Sequence, residues 1–80
     1  MVNRVEGHIV IGIKQTLKHL KNGEGQLLYV AKDADGDLLQ PVIKLAQKGS
    51  LDIIYVDSMK ELGKLCGIDV GSAVSLVLKQ

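Results

Sequence analysis

Short apolar runs alternate with amphipathic stretches along the chain, and this pattern predicts strands that alternate with helices. Four runs have the length of strands, at residues 9–11, 26–31, 52–56 and 73–78. The run at 26–31 is almost continuously apolar, which is typical of a central strand covered on both faces. The short connections favour a three-layer α/β/α sandwich with a central, mostly four-stranded mixed sheet.

Amphipathic stretches separate these runs, and the first two of these stretches contain residues that typically start or end a helix. The first helix is predicted to begin after Gly12 and to end at Asn22 and Gly23. Its apolar stripe recurs at i, i+4 and i+7: Ile13, Leu17 and Leu20. The second helix is predicted from Leu38 to Gly49, with Pro41 near its start, where a missing N–H is best tolerated.

A third helix is predicted from the capping-box spacing of Ser58 and Glu61, with Gly67 as its end. Four of its side chains are expected to be buried: Met59, Leu62, Leu65 and Cys66. Residues 2–8 predict a short helix or turn, and residues 32–37 predict a polar loop.

The composition indicates one folded domain over residues 1–80, because 46% of the 80 residues are hydrophobic. The single cysteine excludes an internal disulfide and favours a reducing, cytoplasmic location. The sequence contains neither an apolar run long enough to span a membrane nor the pattern of a signal peptide. Tyr29 and Tyr55 are the only aromatic residues, which argues against an aromatic stacking platform for single strands.

The net charge is only +1, but it is unevenly distributed, with a balance of +3 over residues 1–32 and −3 over residues 33–57. Lys14, Lys18 and Lys21 share one face of the first helix, and Gln15 lies beside Lys14. A lysine face is commonly a solvated surface. It is also suited to a polyanion such as RNA, because helix N–H groups and cations converge near Lys14.

Two other patterns have simpler explanations than catalysis or metal binding. The aspartates of residues 33–37 resemble a calcium loop, but glycine falls at the fourth position and Lys44 where a glutamate is needed. Cys66 falls on an apolar stripe, which favours a structural thiol. No catalytic set, metal-ligand cluster or phosphate loop is recognisable, so we expect neither an enzyme nor a cofactor.

The segment 67–73 places aliphatic residues between small ones, and two interpretations stay open. In the first interpretation, which the segment alone favours, it is a tight turn in which Ile68 and Val70 point inward. Alternatively, it is an apolar rim that packs on an unstacked RNA base.

Four segments, at residues 12–18, 30–35, 58–67 and 70–73, resemble the kink-turn RNA-binding family in order and spacing. This family includes the archaeal multifunctional ribosomal protein, the eukaryotic spliceosomal and snoRNP core protein, and small bacterial relatives. The resemblance covers nearly the whole chain. It implies an α/β/α sandwich that binds a helix–bulge–helix RNA with tandem sheared G·A pairs and a flipped-out bulge base.

The resemblance assigns the G·A pairs to the start of the first helix, where the family has Gly-X-Asn-Glu-X-X-Lys. Gly12 and Lys18 match this motif, whereas Lys14 and Gln15 replace the asparagine and glutamate. Lys14 has only donors and suits the guanine O6 and N7 acceptors, and Gln15 can both donate and accept. Lys32 and Lys21 are expected to add phosphate contacts.

The resemblance also implies a pocket for the bulge base. Its members by position are Asp35, Leu39, Val70 and Ala73, with Ile68 and Gly71 in the same last loop. Besides Lys14 and Gln15, four positions depart from the family pattern, and these four departures imply a looser pocket with fewer phosphate contacts: Ile11, Gly36, Met59 and Gly71.

We therefore expect a monomeric, non-enzymatic RNA-binding protein that clamps a kink turn in ribosomal RNA, a riboswitch or another non-coding RNA. One alternative is a ribosome-associated protein that binds rRNA by shape and phosphates. The other is a module for a small ligand or a protein partner on the same fold.

Overall fold

Strands and helices alternate along the chain, as the hydrophobic pattern predicts. The computed structural model describes residues 8–78, so the helix or turn expected at 2–8 lies almost wholly outside the described residues. The elements are β1 (Ile9–Ile11), α1 (Ile13–Lys21), β2 (Leu27–Ala31), α2 (Gly36–Lys48), β3 (Asp52–Val56), α3 (Met59–Leu65) and β4 (Val74–Val77).

The four strands form one mixed sheet in the order β1-β4-β2-β3. β2 pairs in parallel with β3, whereas β4 runs antiparallel to both β1 and β2. β1, β2 and β3 therefore point the same way, and their carboxyl ends lie beside the amino end of β4. We call this the loop end of the sheet, formed by residues 12, 32–35, 57–58 and 66–73.

The helices cover the two faces of the sheet, which confirms the α/β/α sandwich. α1 and α2 pack on one face, where the buried core comprises Leu20, Leu28, Val30, Leu39, Val42, Ala46, Val74 and Leu76. α3 packs on the other face around Ala31, Val56 and Leu62. The central position predicted for the strand at 26–31 is also confirmed, since β2 lies between β4 and β3.

Two of the differences from the sequence-based expectation concern the starts of helices. α2 begins at Gly36 rather than Leu38, because the Asp35 carboxylate accepts a hydrogen bond from the Asp37 backbone N–H at 2.9 Å. Pro41 consequently lies in the second turn of α2. Met59, expected to be buried, is 38% exposed because it opens α3 at the loop end.

No helix among residues 8–78 combines the length and the apolar character that a membrane crossing requires.

Candidate nucleic-acid interface

The loop end brings the start of α1 next to the segment that precedes β4. The Gly12 backbone N–H donates to the Val74 carbonyl at 3.2 Å, and the Ala31 N–H donates to the Ala73 carbonyl at 3.0 Å. The two segments that the resemblance assigns to the G·A pairs and to the bulge base therefore adjoin one another through backbone hydrogen bonds.

The amino end of α1 has no side-chain cap. Gly12 precedes it with φ of 101°, a conformation that favours glycine, and the first turn contains no acidic residue. The starts of α2 and α3, at the same end of the sheet, are capped by Asp35 and Ser58. Among the described helices, α1 alone thus presents first-turn N–H groups with no side-chain acceptor, which suits an acceptor from a ligand.

The exposed side of α1 carries the predicted polar residues. Thr16 and Leu20 are buried, Ile13 and Leu17 are half-buried against the core, and the opposite side is exposed: Lys14, Gln15, Lys18 and Lys21. At a rise of about 1.5 Å per residue, Lys21 lies about 12 Å along the axis from the first turn. Lys14 and Gln15 thus lie in the uncapped first turn, and Lys18 lies one turn later. Lys21 lies in the last turn.

Three acidic residues of the loop end, Asp33, Asp35 and Asp57, are already engaged with helix starts or with a cation. Asp35 caps α2, and the Asp33 Oδ1 atom accepts from the Met59 N–H of α3 at 2.8 Å. Lys32 Nζ lies 3.4 Å from Asp57 Oδ1, and both side chains are largely exposed, so this ion pair contributes little stability. Helix capping is therefore the structural role of the two aspartates at the start of the calcium-like segment.

The segment between α3 and β4 is fixed to α3 by its backbone. The Ser72 N–H donates to the Met59 carbonyl, and the Ile68 N–H donates to the Gly63 carbonyl, both at 3.0 Å. A side chain at position 63 would collide with the carbonyl oxygen of Val70, so the close approach requires glycine. This backbone is therefore held firmly against α3.

Within this segment, the expectation that Val70 points inward is wrong, because its side chain is 70% exposed. The fixed backbone turns the Val70 carbonyl toward Gly63 and leaves the side chain in solvent. Ile68 and Ala73 are half-buried, and Gly71 is exposed and lies against Met59.

Of the positions proposed for the bulge base, Leu39 is the one that the structure places in the core. It is only 3% exposed, whereas the neighbouring Leu38 is 59% exposed. The helical spacing of Leu39, Val42 and Ala46 is the sequence signal that puts Leu39 on the buried side.

Three polar features were not anticipated from the sequence. Thr16 is fully buried, and its Oγ1 atom has no hydrogen-bond partner among the described residues. Cys66 is half-buried with its Sγ atom 3.0 Å from Ser75 Oγ, which fits a structural thiol. Ser72, also buried, donates from its hydroxyl to the Val74 carbonyl at 2.9 Å. Within residues 8–78, no three His, Cys, Asp or Glu side chains are grouped as metal ligands.

A family model matches the whole chain, residues 1–80, and its description is "Ribosomal protein L7Ae/L30e/S12e/Gadd45 family". The chain belongs to this family. An "RNA-binding protein" of Bacillus pumilus is 53% identical over 70 residues, which cover 88% of this chain and 85% of the relative. The "RNA-binding protein YbxF" of Geobacillus stearothermophilus is 45% identical over 73 residues, which cover 91% of this chain and 89% of the relative.

Two more distant matches extend the comparison beyond these bacteria. The "Large ribosomal subunit protein eL8" of Halobacterium salinarum is 28% identical over 96% of this chain and 65% of its own length. The "Giardia lamblia 15.5kD RNA binding protein" has a TM-score of 0.74 at 24% identity, over 90% of this chain and 61% of that chain, which shows a shared fold. These relatives are named as RNA-binding or ribosomal proteins, in agreement with the expectation that this chain is not an enzyme.

Proposed function

We propose that this chain is an RNA-binding protein that recognises and stabilises kink turns through their tandem G·A pairs and flipped-out bulge base. The observation that carries this proposal is the junction of an uncapped, lysine-bearing helix start with an exposed loop. The Gly12-to-Val74 hydrogen bond of 3.2 Å joins the two. The family match and the names of the relatives support RNA as the ligand.

The G·A pairs are assigned to the first turns of α1. Lys14 donates to guanine O6 and N7, Gln15 can donate or accept at a purine edge, and Lys18 contributes a further cation one turn on. The absence of a side chain at Gly12 permits close approach of the RNA, and nothing lies within 4 Å of a Cβ placed there. The uncapped N–H groups add donors for a phosphate or base acceptor.

The bulge base is assigned to the loop beside α1. An unstacked base has an apolar face, and the exposed Val70 side chain offers a matching surface. Ala73 and Gly71 border this surface, and Lys32 lies on the neighbouring β2–α2 loop as a phosphate contact. Leu38, rather than the buried Leu39, is the exposed aliphatic residue that α2 offers at the loop end.

Binding of this kind would stabilise the kinked conformer and shift the RNA population toward it. We expect the protein to act as a monomer in the cytoplasm on a kink turn in ribosomal RNA, a riboswitch or another non-coding RNA.

A gel shift tests this proposal with two RNAs, a kink turn and the same RNA with its tandem G·A pairs replaced by Watson–Crick pairs. We expect the kink turn to bind at least tenfold more tightly, which corresponds to about 1.4 kcal/mol. Equal affinity for the two RNAs would refute kink-turn recognition.

A second candidate is a ribosome-associated protein that binds rRNA through shape and phosphates. Two observations favour it: the relative from Halobacterium salinarum is named as a ribosomal protein, and the exposed lysines run along the whole of α1. Such binding would tolerate replacement of the G·A pairs and would fall steeply with salt.

A further inference from the structure

The Met59 backbone joins the two loops that border the proposed base site. Its N–H donates to Asp33 Oδ1 of the β2–α2 loop at 2.8 Å, and its carbonyl accepts from Ser72 N–H of the α3–β4 loop at 3.0 Å. Asp33 therefore connects to the segment bearing Val70 through a single intervening residue.

On one side of Met59, the β2–α2 loop that contains Asp33 is anchored to the sheet. Asp33 directly follows Lys32, whose backbone N–H donates to the Val56 carbonyl at 2.8 Å, and this bond holds the β2–α2 loop against β3. The other side depends on α3, which has seven residues. A helix this short has little intrinsic stability and takes its position from tertiary contacts.

The N-cap of α3 cannot replace the Asp33 contact. Ser58 Oγ accepts from the Glu61 N–H at 3.1 Å, whereas Asp33 accepts from the Met59 N–H, so the two side chains satisfy different first-turn donors. A carboxylate bound to a helix N–H is also a charge-assisted hydrogen bond, which is stronger than a neutral one.

We propose that Asp33 is a positioning residue for bulge-base recognition. It fixes the first turn of α3, and through Met59 and Ser72 it fixes the Val70 segment relative to the start of α1. Asp33 itself contacts no RNA in this arrangement. The inference rests on the proposed function and adds to it a residue that acts only through the protein backbone.

The test compares Asp33→Ala and Asp33→Asn with wild type on two RNAs, a kink turn and the same RNA with an abasic site at the bulge. Asp33→Ala should lower the affinity for the intact kink turn about tenfold, in line with loss of one charge-assisted hydrogen bond. It should leave binding of the abasic RNA, held by α1, unchanged. Asp33→Asn should restore most of the affinity, because its amide oxygen can still accept from the Met59 N–H.

Asp57→Ala is the matched control, since it removes the same charge at the same end of the sheet without freeing a helix N–H. This variant should not lower the affinity for the kink turn. In the free protein, amide hydrogen exchange should be faster at Met59 and Ser72 in Asp33→Ala and close to wild type in Asp33→Asn.

Two results would overturn the role of Asp33. One is an equal loss of affinity for both RNAs in Asp33→Ala, which indicates general loss of folded protein. The other is wild-type affinity of Asp33→Ala for the intact kink turn, whether or not exchange at Met59 and Ser72 changes. If wild type fails to prefer a kink turn over the G·A-disrupted RNA, the proposed function fails, and the exchange measurement still decides whether Asp33 holds the two loops together.

Discussion

In the proposed function, recognition of the G·A pairs depends most on the side chain of Lys14. It is exposed in the first turn of α1, beside N–H groups that no side chain caps. Because its ammonium group can donate but not accept hydrogen bonds, it can bind the acceptors on guanine edges but not groups that only donate. We therefore expect Lys14 to contribute selectivity for G·A pairs as well as attraction to RNA.

Replacing Lys14 with alanine should weaken kink-turn binding by about 1–3 kcal/mol and relax the preference for G·A pairs. Lys48→Ala is the control, because Lys48 is exposed in the last turn of α2, away from the loop end. Fluorescence anisotropy with both RNAs measures the effect. Equal losses in the two variants would mean that Lys14 acts only through net charge.

Thr16 contributes a buried hydroxyl without a protein partner in the described part of the chain. An unsatisfied buried hydroxyl is unfavourable, and valine replaces it with a methyl group of similar size that needs no hydrogen bond. Thr16→Val should therefore raise the free energy of unfolding by about 1 kcal/mol. Urea denaturation measures this change. A loss of stability would show that the hydroxyl is satisfied in solution.

Each element at the loop end contributes different groups to the proposed site. α1 supplies N–H groups and cations, and the α3–β4 loop supplies an exposed apolar side chain. α3 holds that loop through the Ile68–Gly63 and Ser72–Met59 backbone hydrogen bonds. The loop conformation therefore depends on α3 being seated correctly.

Gly63→Ala should disturb this seating, because the new methyl group collides with the Val70 carbonyl. We expect a loss of about 1–3 kcal/mol in unfolding free energy, although alanine normally stabilises a helix relative to glycine. Gly36→Ala is the control, since a methyl group in the first turn of α2 meets open space. Both are measured by urea denaturation, and a gain for Gly63→Ala would contradict the close contact.

The sequence predicts most of the elements because their signals are local. Alternating apolar runs and start and stop residues place β1, α1 and β3 correctly, and the cap at Ser58 is confirmed by its bond to the Glu61 N–H. The apolar pattern predicts the start of α2 too late, because the pattern begins after the capping residue Asp35.

The candidate site is less predictable, because it depends on tertiary contacts. The exposure of Val70 follows from a backbone contact with Gly63, and the burial of Thr16 follows from packing of α1 on the sheet. The bond between Asp33 and Met59 joins residues 26 positions apart. Neither hydrophobic spacing nor local capping rules encode such a pair.

At the scale of the whole molecule, the topology decides which segments meet. The order β1-β4-β2-β3 places β4 between β1 and β2, so the loop before β4 lies beside both α1 and the β2–α2 loop. A net charge of +1 makes long-range attraction to RNA weak. Affinity should therefore come from contacts at the loop end.

The salt dependence of binding should be shallow as a result. Four lysines are available to phosphates: Lys14, Lys18, Lys21 and Lys32. At about −0.9 per duplex phosphate contact, the slope of log K against log salt should be no steeper than about −4. Anisotropy titrations over a range of KCl concentrations measure it. A slope near −8 would favour non-specific binding along the phosphate backbone.

The most direct test of one continuous RNA surface is an NMR titration of the protein with a kink-turn RNA. Backbone amides of residues 13–15 and 70–73 should shift together with a single saturation curve, because the proposed interface places both segments on one RNA. Amides at the opposite end of the sheet, at residues 22–25 and 49–51, should stay in place. Shifts confined to that opposite end, or to only one of the two loop-end segments, would contradict the proposed interface.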